Sequence, residues 1–247
     1  MHIINDNRKI PYIHYKHNNS NVVVVCHSFL GHKSSAFNKI LQEHFTIDGI
    51  DSFSFDFYGH GEADGDISSM TIDHCISDLT AVINYLTQEY DNISLVANSM
   101  GGLIALTSTK IHAKLNSLVL RSPVSDWYKK ELNRIGVNGI SEWIINGFTE
   151  VFYGNVRVQL SSGLLKSMKK FNAYSLAGGI TCPVLIIHGN HDKNIPIEQS
   201  HQLRDLIAHA ELFVIENGGH SRKSVDQDSI INKIVSFTCS HFKSNVL

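Results

Sequence analysis

The chain is 247 residues long, enough for one large α/β domain or two small ones, and no stretch resembling a linker divides it. With 4 prolines, 43% apolar residues and no low-complexity run, it has the composition of a compact folded protein rather than a disordered one. A formal net charge of −2 excludes the basic field that nucleic acid or an anionic membrane would require, so neither is an expected partner. No apolar run approaches the length of a membrane span. Cys26, Cys75, Cys182 and Cys239 are scattered with no C-x-x-C pair, as expected of free thiols in a reducing compartment. The start, Met1-His2-Ile3-Ile4-Asn5-Asp6, lacks the charged and apolar regions of a secretory signal, which points to a cytoplasmic protein.

Tyr12 to Lys16 alternates weakly and predicts an edge strand. Val22-Val23-Val24-Val25-Cys26 is a continuous β-branched run, the pattern of a strand covered on both faces. Ala36 to Phe45 has helical spacing through Phe37, Ile40, Leu41 and His44. Ser52 to Phe57 alternates apolar with polar and predicts a second strand. From Thr71, a suitable N-cap with Asp73 in the first turn, apolar residues recur at helical spacing to Leu86. Ile93 to Val96 predicts a strand, Gly102 to Leu106 a helix, and Ser117 to Leu120 a further strand. The alternation pauses from about Ser122 to Gly179. It resumes with strands at Pro183–Ile187 and Glu211–Ile215 and a helix from about Asp228 to Phe242. Strands alternating with helices imply a mostly parallel sheet with helices on both faces, within one domain over residues 1–247. The interruption at about 122–179 is expected to be a small helical cap over the carboxyl edge of the sheet, where ligands bind in such folds.

The junction between the Ile93 strand and the following helix carries Ala97-Asn98-Ser99-Met100-Gly101. A serine between small residues at such a junction sits on a sharp turn that lifts its hydroxyl above the sheet. The turn also leaves the next backbone N–H, that of Met100, free to bind an oxyanion. A hydroxyl nucleophile needs a base, and the base needs an orienting acid. Asp192 lies in the loop after the Ile187 strand, within His188-Gly189-Asn190-His191-Asp192. His220 lies in the loop after the Ile215 strand, within Glu216 to Ser221. Both loops leave the same sheet edge as Ser99. His27-Ser28-Phe29-Leu30-Gly31 follows the first buried strand, where the N–H of Phe29 supplies a second oxyanion donor. Asp56 and the glycines at 59 and 61 are read as a structural turn, and His60 is given no chemical role. Asp126, shortly after the Leu120 strand, is a rival acid.

Those four ordered motifs make the chain resemble the serine α/β-hydrolase superfamily along nearly its whole length. Within it, the loop from Asp56 to Asp73 is similar to the small cinnamoyl (feruloyl) esterases and the monoacylglycerol lipase-like hydrolases. The resemblance implies Ser99 as nucleophile, His220 as base, Asp192 as acid, and Phe29 and Met100 as oxyanion donors. The chain departs from the family pattern at Ala97, Asn98 and Ser28, where glycine, histidine and glycine are usual. The expected reaction is cleavage of a small-molecule acyl ester through an acyl-enzyme, with no cofactor and no metal. Thioester or amide cleavage by the same triad is the alternative, and a non-catalytic binding protein on this fold is a third reading.

The interrupting segment is rich in rings: Trp127, Tyr128, Trp143, Phe148, Phe152, Tyr153, Phe171 and Tyr174. Trp127, Trp143 and Phe148 are the candidate substrate contacts, with simple packing as the competing explanation for each. Trp143, Ile144, Phe148 and Val151 fall at the spacing of one helical face. The 15 histidines include pairs three apart, His14 with His17 and His188 with His191, but no further ligands at zinc-like spacing, so no structural metal is expected.

Overall fold

A buried parallel strand needs side chains that satisfy two apolar faces at once, and Asn21–Cys26 meets that demand. Val22, Val24 and Cys26 enter one core while Val23 and Val25 enter the other. The computed structural model describes residues 1–153, 156–220 and 227–242, with Tyr153 described in its backbone only. The Tyr153 ring and Ser221, both noted above, therefore lie outside the described residues.

The strands are β1 (His2–Asn5), β2 (Arg8–Tyr15), β3 (Asn21–Cys26), β4 (Asp51–Phe55), β5 (Asn92–Asn98), β6 (Leu115–Arg121), β7 (Phe148–Tyr153), β8 (Val156–Ser161), β9 (Val184–Gly189) and β10 (Ala210–Ile215). The helices are α1 (Ala36–Ile47), α2 (Ile72–Leu86), α3 (Met100–Thr107), α4 (Trp127–Asn146), α5 (Ser162–Lys170), α6 (Tyr174–Ala177), α7 (Glu198–Leu206) and α8 (Gln227–Ser240). Eight strands form one sheet in the order β1-β2-β4-β3-β5-β6-β9-β10, antiparallel at the β1 and β2 end and parallel elsewhere. Apolar residues of α2 and α3 share one core with the sheet, and those of α1 and α8 share the other. Thr71 caps α2 through its hydroxyl, which accepts from the His74 N–H at 3.2 Å.

Three sequence expectations are corrected. The strand at Tyr12 is not the edge: β1 pairs outside it through a turn at Asp6 and Asn7, whose φ values of 48° and 60° suit a tight hairpin. The segment between β6 and β9 is not purely helical, because β7 and β8 form a two-stranded antiparallel hairpin between α4 and α5. The helical spacing through Phe148 and Val151 is accidental. Gly147 ends α4 in the left-handed region at φ 77°, and both residues fall on β7.

Candidate active site

At the end of β5 the chain enters α3 through Ser99, which adopts φ 50°, ψ −109°. A non-glycine residue there carries about 1–3 kcal/mol of backbone strain, and its surroundings must hold it. The Ser99 N–H donates to the Arg121 carbonyl at 2.9 Å, while its own carbonyl accepts from Gly102 at 3.0 Å and Val124 at 3.1 Å. Gly101 and Gly102 make the approach possible. A Cβ on Gly101 would lie 2.8 Å from the His27 carbonyl, and one on Gly102 would lie 2.8 Å from Pro123 Cβ. Ala97, by contrast, lies fully buried in the β5 ladder, opposite Cys26 and Leu120. The strain therefore sits at the serine, and alanine serves in place of the first glycine. Asn98 uses its amide to donate to the Cys26 carbonyl at 3.2 Å. Met100, the first residue of α3, has an N–H with no partner inside the helix, and the helix start favours negative charge.

Phe29 lies in the turn after β3. Gly31 N–H closes that turn on the Ser28 carbonyl at 2.8 Å, and Leu30 takes φ 57°. His27 fixes it from beneath: Nδ1 donates to the Ser28 carbonyl at 2.8 Å and Nε2 accepts the Phe57 N–H at 3.0 Å. Both roles require a neutral ring. Burial, and secondarily the nearby His60, pushes this imidazole down to about 3. The unfolded chain takes up the proton below about 6.5, so His27 costs the fold about 2 kcal/mol by pH 5, an effect that grows as pH falls toward the folded value. Urea unfolding at pH 7 and pH 5 should therefore show a shallower pH slope for His27→Gln, which keeps an acceptor for Phe57 without titrating. Equal slopes would contradict this role.

Asp192 and His220 meet. His220 Nδ1 lies 2.6 Å from Asp192 Oδ2, with the carboxylate side chain fully buried and the imidazole 23% exposed. Two glycines bring their loops into register, since a Cβ on Gly189 would lie 2.2 Å from the Gly218 carbonyl. The His191 N–H donates to that same carbonyl at 2.8 Å. Asp192 Oδ1 accepts from the backbone N–H groups of Asn194 and Ile195, each at 2.9 Å. Burial alone would raise the Asp192 carboxyl. Hydrogen bonds from His188, His220 and Ile195 outweigh it and hold the group well below the usual carboxylate range. Sequence reading treated His188 only as half of a possible metal pair. Its Nε2 in fact lies 3.2 Å from Asp192 Oδ2. A histidine following the apolar run of β9 is the available signal, because a buried ring must find partners.

Ser99, Asp192 and His220 thus leave the same carboxyl edge from β5, β9 and β10, with β6 between the first two strands. No hydrogen bond joins Ser99 Oγ to His220 among the described residues. The rival Asp126 is occupied as the cap of α4, accepting from the Lys129 N–H at 2.9 Å and the Asn172 amide at 3.1 Å. Asp56 is the expected turn organiser. It is buried, takes the Lys33 N–H at 2.6 Å and its ammonium at 2.7 Å, and a Cβ on Gly61 would strike its carboxylate at 2.4 Å.

Among the candidate wall residues, Trp127 is buried with its ring edge-on to Phe29 at 5.4 Å, and its N–H donates to Glu131 at 3.2 Å. Trp143 is fully buried, its N–H held by the Leu160 carbonyl at 3.0 Å. Phe148 is exposed on β7. Among the described residues no group of three His, Cys, Asp or Glu side chains is arranged to hold a metal. No helix among them is long and apolar enough to cross a membrane.

Comparison with known proteins agrees with this architecture. Residues 17–151, more than half of the chain, match the family described as serine aminopeptidase, S33. The match includes Phe29 and Ser99 and ends before Asp192 and His220. A Bacillus subtilis relative named as an AB hydrolase superfamily protein, YisY, is 24% identical over 226 residues, covering 78% of this chain and 82% of that one. The structure of Est1E from Butyrivibrio proteoclasticus, with ferulic acid bound, superposes with a TM-score of 0.81 at 20% identity, covering 98% of both chains. The monoacylglycerol lipase of Paleococcus ferrophilus superposes at 0.71 and 20% identity, covering 94% of this chain and 99% of that one. With a mostly parallel sheet, helices on both faces and a strained serine at the end of β5, the chain belongs to the serine aminopeptidase (S33) family of α/β-hydrolases.

Proposed function

We propose that this hydrolase cleaves a small-molecule carboxylic ester through an acyl-enzyme on Ser99. The observation that carries the reading is the 2.6 Å hydrogen bond from His220 to Asp192, made at the edge from which Ser99 also projects. In this mechanism Ser99 Oγ attacks the ester carbonyl as His220 Nε2 takes its proton, and Asp192 orients and stabilises the imidazolium. Phe29 and Met100 N–H groups hold the negative oxygen of the tetrahedral intermediate. His220 then protonates the departing alkoxide, and later draws a proton from water to release the acid. The step needs no cofactor.

The segment at about 122–179 acts as a cap within a single domain spanning 1–247. Trp127 and Phe148 are its proposed substrate walls, and the buried Trp143 is assigned to packing. The names of the structural neighbours, one holding ferulic acid and one a monoacylglycerol lipase, support an acyl ester as substrate. Unpaired thiols at Cys26, Cys75, Cys182 and Cys239 suit a reducing, cytoplasmic setting. The family description, aminopeptidase, favours amide cleavage as a second reading. Matched oxygen-ester, thioester and anilide substrates separate the two. The ester should give the highest kcat/KM, and preferential anilide cleavage would reverse the assignment.

A further inference from the structure

We propose that His188 is a positioning residue that shares the Asp192 carboxylate with His220 and so sets how strongly that carboxylate holds the base. The proposal rests on the reading of His220 as base. His188 ends the apolar run of β9 and is fully buried. Its Nε2 faces two oxygens, Ile195 carbonyl at 3.0 Å and Asp192 Oδ2 at 3.2 Å. Both only accept when the carboxyl is ionised, so Nε2 must carry the hydrogen. The other nitrogen, Nδ1, lies 2.6 Å from the hydroxyl of Ser200, a buried residue of α7. Ser200 therefore pins the ring from behind, and the Nε2 hydrogen is bonded to the Ile195 carbonyl with Asp192 Oδ2 0.2 Å farther off on its other side.

Three donors bond this carboxylate, and the His188 N–H, shared with the Ile195 carbonyl, lies beside them. Asn194 and Ile195 N–H groups occupy Oδ1, while His220 at 2.6 Å and His188 at 3.2 Å face Oδ2. A carboxylate oxygen that holds one imidazole N–H and faces a second gives less of its charge to the first. The hydrogen bonds of His188 and His220 stand first among the influences that outweigh burial and keep Asp192 ionised. The titratable groups facing this carboxylate are His188 from β9 and His220 from the loop after β10. From α7 the uncharged Ser200 meets the far side of the His188 ring, and His191, Lys193, Glu198 and Glu216 on the adjoining elements are exposed. Loss of His188 should concentrate the charge on His220, stabilise its imidazolium and make it a stronger base that holds its proton to higher pH.

The test follows proton uptake by the His220 ring, by nitrogen chemical shift in histidine-labelled protein carrying Ser99→Ala, so no turnover is needed. Against a His188 background, His188→Leu should raise the midpoint by about one pH unit. His188→Gln, whose amide can place an N–H near the Nε2 position, should return it most of the way. The acid limb of the pH–rate profile should move in step in protein that retains Ser99. A folded His188→Leu variant with an unmoved midpoint, or equal shifts in the Leu and Gln variants, would overturn the proposal. Should His188→Leu not fold, Ser200→Ala decides: a smaller rise supports the role and no movement overturns it. A midpoint shift in a protein that cleaves no ester would fault the ester assignment alone.

Discussion

Replacing Ser99 by alanine should lower kcat on a p-nitrophenyl ester by about 10⁶-fold, the loss seen when a hydrolase of this chemistry is stripped of its nucleophile. The fold should survive, because the substitution deletes only a hydroxyl. The backbone at this turn is held through the Ser99 N–H and carbonyl, which bond Arg121, Gly102 and Val124 whatever the side chain. The measurement pairs turnover with thermal unfolding. Residual activity within tenfold of wild type would place the nucleophile elsewhere.

Asp192→Asn should cost about 10⁴-fold in kcat, with Asp126→Asn close to wild type. The asymmetry follows from what each carboxylate accepts. Every group bonded to Asp192 donates: two backbone N–H groups on one oxygen and the His220 imidazole on the other, with the His188 N–H 3.2 Å from that second oxygen. An asparagine amide has no orientation that suits them, because its NH₂ must face either the backbone pair or the imidazole side. Facing His220, it would force that ring to place its hydrogen on Nε2, the atom that receives the serine proton in the proposed mechanism. Asp126 accepts from the Lys129 N–H and an asparagine amide as a helix cap, and asparagine caps almost as well. The reverse outcome, turnover lost at Asp126 and kept at Asp192, would reassign the acid.

The parts of this molecule that could be read from sequence are those where one physical demand dominates. A strand buried on both faces must be apolar throughout, so Val22 to Cys26 was unmistakable. A sharp strand-to-helix turn must be made of small residues, so Ala97 to Gly101 was as well. The parts that were misread carry competing signals. The strand expected from Ser52 is present as β4, buried on both faces, with the Ser54 hydroxyl donating to Gln42 of α1 at 3.0 Å, so it is not among them. β1 is four residues long and half exposed, and its only strong cue was the Asp6-Asn7 turn. Between β6 and β9, apolar residues on α4 happen to continue in helical phase onto β7, and the break is announced by Gly147. His188 was missed for a different reason. Sequence spacing relates it to His191, whereas the loop folds back so that its partner is Asp192, and only Cartesian space records that contact.

Treatment with a fluorophosphonate probe followed by peptide mass mapping bears on the nucleophile itself, independent of any choice of substrate. A single adduct on the peptide containing Ser99, abolished by Ser99→Ala and weakened by Asp192→Asn, is the result required. An unlabelled protein, or an adduct on another serine that persists in Ser99→Ala, would contradict it.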